Sequence, residues 1–228
     1  MCSHYQAVKA VALLEKRFQG VSWPTGDLGK TDMWPKYSGL FIRRPPEHDA
    51  GDEAVPDFEG MTGRWGLVSA LTKADGAEKA MKLSTFNARS ETAAKSFTFG
   101  NAWRKAQHCI IPAEAFYEPD WRSGKAVPTR FTAADGEPMG IAGLWDRWRS
   151  ATGEIVESFT MLTINADNHE LLRDYHRPTD EKRMVVVLPA GVYDAWLTAP
   201  ASDTMDFMHP YPAESLIATA VPKGEAPK

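Results

Sequence analysis

The chain has 228 residues, of which 43% are hydrophobic and 25% charged, and a net charge of −4 at pH 7, a profile that excludes disorder, a collagen-like repeat and a small disulfide-stapled scaffold. Its apolar runs, such as residues 185–188, fall far short of the ~20 residues of a membrane helix, and the acidic balance argues against a protein coated in positive charge for non-specific nucleic-acid binding. Two cysteines, Cys2 and Cys109, make no disulfide framework and fit a reducing compartment; with no basic-then-apolar leader at the N-terminus, a cytoplasmic protein is expected.

In chain order, Ala7, Val11, Leu14 and Phe18 recur at helical spacing and predict a helix over 6–18 that holds the start of the chain against the body. Residues 20–57 are rich in Gly, Pro and acids, with a strand expected over 37–43 and stopped by Pro45 and Pro46. Short β-type segments follow over 63–68, 108–111, 115–118, 129–132, 139–145, 159–164 and 183–188, each closed by Gly, Pro or Asp. Helices are expected over 99–107, 168–174 and 191–197, the last preceded by Pro189. Strands dominate and no long repeat is present, so the chain reads as one α+β domain over 1–221, a mixed or pseudo-barrel sheet with peripheral helices, followed by a flexible tail over 222–228.

Charge is unevenly spread. Residues 61–110 hold eight Lys and Arg against Asp75, Glu78 and Glu91, a local balance of +5, while residues 47–59 hold six acids and no Lys or Arg. A basic segment inside an acidic protein permits a local phosphate-binding face; a merely solvated surface is the commoner alternative.

Cys2 directly follows the initiator Met, and a small second side chain is what methionine removal requires, so a mature chain beginning with cysteine is expected. Such a residue carries an α-amine of pKa about 8 and a thiol of about 8.5 on adjacent carbons. Aldehydes are the natural target. The amine condenses to an imine and the thiol adds to the same carbon, closing a five-membered thiazolidine that an internal cysteine cannot form. An incidental cysteine at position two is the alternative.

Four motifs follow Cys2 in order: Asn87, Arg89, Glu91 and Thr92; Pro112 with Phe116, Tyr117 and Glu118; His176, Arg177 and Pro178; and Arg183 with Met184. Together with Arg64, Trp65, Gly66 and Leu67 they make the chain resemble the SRAP family, the SOS response-associated peptidase domains understood as abasic-site DNA–protein crosslinkers. The resemblance spans nearly the whole chain. It implies a single SRAP-like domain with a groove for single-stranded DNA, a monomer without cofactor, metal or membrane partner, nucleoid-associated when bound. By the same resemblance Cys2 is the nucleophile, Glu118 the acid and base that opens the sugar, His176 a second proton shuttle, and Asn87 the residue that fixes the N-terminus. Arg89, His4, Trp65, Arg177 and Arg183 are then expected at the DNA.

Those roles make physical sense, since ring opening and imine formation move protons on and off oxygen and nitrogen. Singly, each residue has a plainer explanation: Glu118 a carboxylate paired with an arginine, His176 a helix-end histidine satisfying carbonyls, Asn87 a turn residue. The chain also departs from the family pattern. Ser3 and His4 stand where Gly and Arg are common, no aromatic occupies 69–72, so that Trp34 or Trp121 would have to stack on a base, Pro119 follows Glu118, and residues 177–182 separate His176 from Arg183. Other classes compete: a thiol peptidase using Cys2 with His176 and Asn87 or Glu118, a non-enzymatic DNA-binding module, or a zinc site from Cys2, His4, His108 and Cys109. The zinc spacing is wrong, and Cys109 reads as a buried strand cysteine.

Overall fold

The computed structural model of the protein describes residues 2–221; the tail expected over 222–228 lies outside the described residues, as does Met1. In chain order the strands are β1 (Tyr5–Ala7), β2 (Val21–Ser22), β3 (Asp32–Met33), β4 (Ser38–Arg43), β5 (Phe58–Trp65), β6 (Asn87–Arg89), β7 (His108–Asp120), β8 (Val127–Ala133), β9 (Met139–Arg149), β10 (Ile155–Asn165), β11 (Arg183–Val185), β12 (Val187–Leu188) and β13 (Leu216–Ala220). Five of them close a barrel: β9 pairs with β10, β10 with β5, β5 with β4, β4 with β7, and β7 returns to β9. The α+β architecture expected from the sequence is the one observed. The helices α1 (Val11–Arg17), α2 (Ala77–Lys82), α3 (Ser90–Ala93), α4 (Gly100–Arg104) and α5 (Tyr193–Thr198) are short. No helix among the described residues is long and apolar enough to cross a membrane.

The barrel strands are apolar on successive residues because the interior and the outer layers both cover them. Leu40, Phe41 and Ile42 are all buried on β4, and inside the barrel Phe41 meets Phe159 at 5.3 Å between ring centres. Gly143 on β9 is required by close approach, since a Cβ there would collide with Thr160 O and stand 2.9 Å from Cys109 Sγ. Gly66, at φ 136°, turns the chain off the end of β5.

β7 organises the molecule. Its first half, to Ala113, pairs with β9 and β4; its second half pairs with β1 and β8. Pro112 stands at that change of partners, where a missing N–H disturbs the ladder least. The two strands expected over 108–111 and 115–118 are therefore one continuous strand.

The expected helix over 6–18 begins later than its pattern suggested. Residues Tyr5–Ala7 alternate inward and outward as β1, paired to β7, and α1 starts at Val11. Ala7 fits both periods, and pairing with β7 decides between them. Val11 is exposed; Leu14 and Phe18 carry the packing, with Phe18 stacked on Tyr193 at 5.1 Å. The helix expected over 168–174 is a single 3-10 turn, Leu172–Asp174.

Candidate active site

Three elements converge beyond the barrel, on the second half of β7. β1 lies along β7 with Tyr5 opposite Phe116, which brings Cys2 beside Tyr117 and Glu118. β6 runs parallel to β10 with Asn87 opposite Met161. The loop ahead of β11 is pinned to β7 by the Asp120–Tyr175 bridge and by the His176 N–H donating to Pro119 O at 2.9 Å. Cys2, Asn87, Glu118 and His176 thus meet, although residues 2 to 176 separate the ends of the set.

Asn87 Nδ2 donates to Cys2 O at 2.6 Å, and the Cys2 thiol donates to His4 O at 3.3 Å. Both anchors act on the backbone of the N-terminal segment, so the position of Cys2 is set by β6 on one side and β1 on the other. The thiol has no exposed surface, and burial, with Glu118 adding to it, pushes it up to about 12. It is a protonated thiol at neutral pH.

Glu118 and His176 form the other half of the site. His176 Nδ1 lies 3.3 Å from Glu118 Oε2, and Nε2 lies 2.9 Å from Arg183 O. A carbonyl only accepts, so Nε2 carries the hydrogen and Nδ1 presents its lone pair to the carboxyl. Burial pushes Glu118 up to about 8 and His176 down to about 4. The pair therefore rests as a carboxylic acid facing a neutral imidazole, one proton held between two groups of opposite tendency. His176 occupies this place at φ 67°, in the left-handed region that histidine seldom adopts.

The residues expected at the DNA are placed differently from one another. Arg89 is exposed and paired with Glu181 at 2.5 Å; Arg177 is exposed, its guanidinium 5.0 Å from the Trp121 ring centre. Trp65 is fully buried, its indole N–H donating to Phe86 O at 2.9 Å and its ring meeting Tyr5 edge-on, so it belongs to the core and does not reach a surface. Arg183 is also buried: it donates to both Glu91 oxygens at 2.8 and 2.9 Å, to Glu181 at 2.9 Å and to Thr163 O at 2.7 Å. Burial alone would raise Glu91, and the Arg183 guanidinium more than offsets it, holding the carboxyl below its usual range. Arg183 fixes β11 against α3, and with it the carbonyl that orients His176. Glu91, four residues beyond Asn87 in the same motif, is the partner that the sequence reading left without a role.

His4 lies between two rings, parallel to Tyr117 at 4.0 Å and to Trp34 at 4.2 Å, and its Nε2 meets Asp32 Oδ1 at 2.9 Å. Asp32 was not singled out from the sequence, and Tyr117 entered only as a member of the motif that carries Glu118, without a role of its own.

The profile of the family described as SOS response associated peptidase (SRAP) matches residues 1–224. The chain is 29% identical to abasic site processing protein YobE of Bacillus subtilis over 163 residues, covering 69% of this chain and 68% of that one. It is 28% identical to abasic site processing protein HMCES of Gallus gallus over 153 residues, 58% of this chain and 44% of that one. Among solved structures, a protein from Bordetella bronchiseptica shares 58% identity with a TM-score of 0.87, over 96% of this chain and 99% of that one. A protein from Bacteroides thetaiotaomicron, 21% identical with a TM-score of 0.75 over 97% and 93%, shares the fold.

Proposed function

The chain belongs to the SOS response-associated peptidase family, and from that premise we propose that it processes abasic sites in single-stranded DNA, capturing the ring-opened sugar aldehyde on Cys2 once Met1 has been removed. The observation that carries the reading is the meeting of a residue-two cysteine, held by Asn87 and His4, with a carboxyl and an imidazole tuned in opposite directions.

A protonated Glu118 gives its proton to the ring oxygen as the sugar opens, while the hydroxyl on C1 loses one, leaving an aldehyde. Because the thiol is held protonated, the freed α-amine attacks first. The carbinolamine loses its hydroxyl as water, with a proton again supplied from the Glu118–His176 pair, and an imine forms. The thiol then adds to the imine carbon, its proton passes to the nitrogen, and a thiazolidine closes. No electrons are gained or lost overall. A cysteine peptidase instead needs an imidazole that takes the thiol proton, and here both His176 nitrogens engage other groups.

The test is to incubate processed protein with a single strand carrying one abasic site and to seek a denaturation-resistant adduct by gel and mass. An adduct that disappears when the N-terminus is acetylated or extended supports the reading. Capture by an N-terminally blocked protein, or peptide release with no DNA attached, overturns it.

A further inference from the structure

A concavity lies where β7 begins, ten residues of strand and about 30 Å of chain from Glu118. Strand pairing assembles it. Arg43 pairs with Cys109, which brings Arg44 level with His108; His108 pairs with Leu144, which brings Trp145 level with Gln107, its N–H donating to Gln107 O at 2.9 Å. Leu197 and Thr198, from the end of α5, complete the wall. The cavity holds about 640 Å3, within the range of about 300 to 1,000 Å3 of small-molecule sites and far more than an inorganic ion fills.

Charge is left over at this cavity. Arg17, Arg43, Arg64, Arg130, Arg147 and Arg183 are buried or half-buried, and each has a carboxylate, amide or carbonyl partner. Arg44 is half-buried too, and among the described residues it has no hydrogen-bond or ion-pair partner. A guanidinium does not shed its proton, so covering part of it without a counter-ion costs stability that the fold does not recover. Lys105, exposed on the same wall, is likewise unpaired among the described residues. It is carried there by the closure of α4, in which the Gln107 N–H donates to Ala102 O at 2.9 Å and Ala106 takes φ 50°, where glycine is ordinarily found. The other charges at the cavity are engaged. Arg147 is held by Glu157 and, at 3.6 Å, by Glu47. The buried Asp146 carboxylate accepts the Ala70 and Arg147 N–H groups at 2.9 Å and the Asn101 amide at 3.1 Å.

We infer that this cavity is a binding site for a nucleoside monophosphate, with the phosphate on Arg44 and Lys105. A phosphate monoester carries about −1.5 to −2 near neutral pH, which answers two cations, and a guanidinium fork beside an ammonium is a suitable donor set for it. The remaining space takes a body. Pro45, Leu197 and Pro200 give apolar walls for a flat ring, and the Gln107 amide and Thr198 hydroxyl line the cavity as polar groups for a heterocycle's edge. The site shares no residue with the Cys2 centre and stands independently of the capture reading.

Isothermal titration of the whole protein with adenosine 5′-monophosphate, adenosine and inorganic phosphate tests the head and the body separately. The nucleotide should bind one to one, and adenosine and phosphate should each bind at least about tenfold more weakly, because each meets half of the site. Arg44→Gln should weaken the nucleotide about tenfold or more, and Lys105→Gln by a smaller factor. Arg149→Gln, which removes an exposed arginine outside the cavity, should change nothing. Arg44→Gln should melt no lower than wild type, since it removes an unanswered charge; a lower melting temperature would make Arg44 a structural group and overturn the site. Adenosine binding as tightly as the nucleotide, nucleotide binding indifferent to Arg44, or an equal loss in Arg149→Gln also overturns it. Affinity for an abasic single strand, measured in a Cys2→Ala background, should be the same with and without Arg44→Gln. A matching tenfold loss there would place the cavity on the path of the strand and overturn a separate nucleotide site.

Discussion

At the start of β7, His108 and Cys109 are as thoroughly buried as His176 and Cys2 are beside its end. Burial acts on the two pairs alike, pushing each imidazole down to about 4 and each thiol up. Their partners differ. His108 Nδ1 meets Trp196 O at 3.0 Å and Nε2 meets Thr204 Oγ1 at 2.9 Å, two neutral groups that satisfy a neutral ring and ask nothing more of it. His176 faces a carboxyl that burial drives the other way. An adjacent group tuned against it makes a buried histidine a candidate proton carrier, as proposed for His176, whereas desolvation by itself only fixes it in the core. Nor does open space mark the chemistry, since a cavity of about 640 Å3 lined by Lys105, His108, Trp145 and Arg147 adjoins the His108 end.

Exchanging the two cysteines for alanine gives the largest contrast. Cys2→Ala should abolish the covalent adduct on denaturing gels, whereas Cys109→Ala should crosslink at the wild-type rate. A Cys109 variant as dead as the Cys2 variant would erase the distinction between the two ends.

Glu118→Gln should slow capture of abasic DNA by about 10²- to 10⁴-fold. A probe that presents a ready-formed aldehyde should largely remove that slowing, and equal defects on both substrates would show that Glu118 acts after ring opening. The same substitution has a signature in stability. Glu118 is raised from 4.5 to about 8, so the folded state holds a proton that the unfolded chain releases across that window, and its contribution is present below 4.5 and lost as pH rises through about 8. The melting temperature of Glu118→Gln should accordingly fall less than wild type between pH 5 and 9.

Histidine gives the opposite sign. His108 is lowered from 6.5 to about 4, so its share of stability is complete above pH 6.5 and is lost as pH falls toward 4. His108→Gln should destabilise the fold by about 1–3 kcal/mol at neutral pH through the groups it leaves unpaired, flatten the acid limb, and leave crosslinking untouched. His176→Ala should instead reshape the pH profile of capture and of its reversal. Two histidines with interchangeable phenotypes would contradict the contrast. The smallest effect belongs to Arg89, which contacts Glu181 at the rim: Arg89→Ala should reduce the salt slope of strand binding by about one.

Cys2, Asn87, Glu118 and His176 were legible because their order along the chain is distinctive and because a cysteine at position two has chemistry of its own. The barrel was legible as a class, from short β-rich segments, but not in its closure, which depends on a parallel pairing of two residue pairs, Ser158 with Arg64 and Phe159 with Trp65. Nothing local encodes that contact. β6, three residues long, and β13, of whose five residues only Leu216 is buried, carry too little periodicity to stand out. Arg183 illustrates the remaining gap. A motif arginine suggests phosphate, yet its carboxylate partners lie 92 positions back and two positions away, and only the folded chain joins them. Trp65 fails for the same reason, its burial being decided by Tyr5 and Phe86 from other elements.

The left-handed backbone at His176 sets two kinds of selection against each other at one codon. A histidine in that conformation costs roughly 1 kcal/mol that glycine would not, so a variant library screened for heat tolerance alone should enrich glycine or asparagine at position 176. The same library screened for survival of lesion-bearing DNA should retain histidine. On the proposed role of His176, position 176 is thus where an engineer optimising robustness would unknowingly discard activity first, and disagreement between the two screens would report, without any assay of mechanism, that the imidazole is kept for what it does.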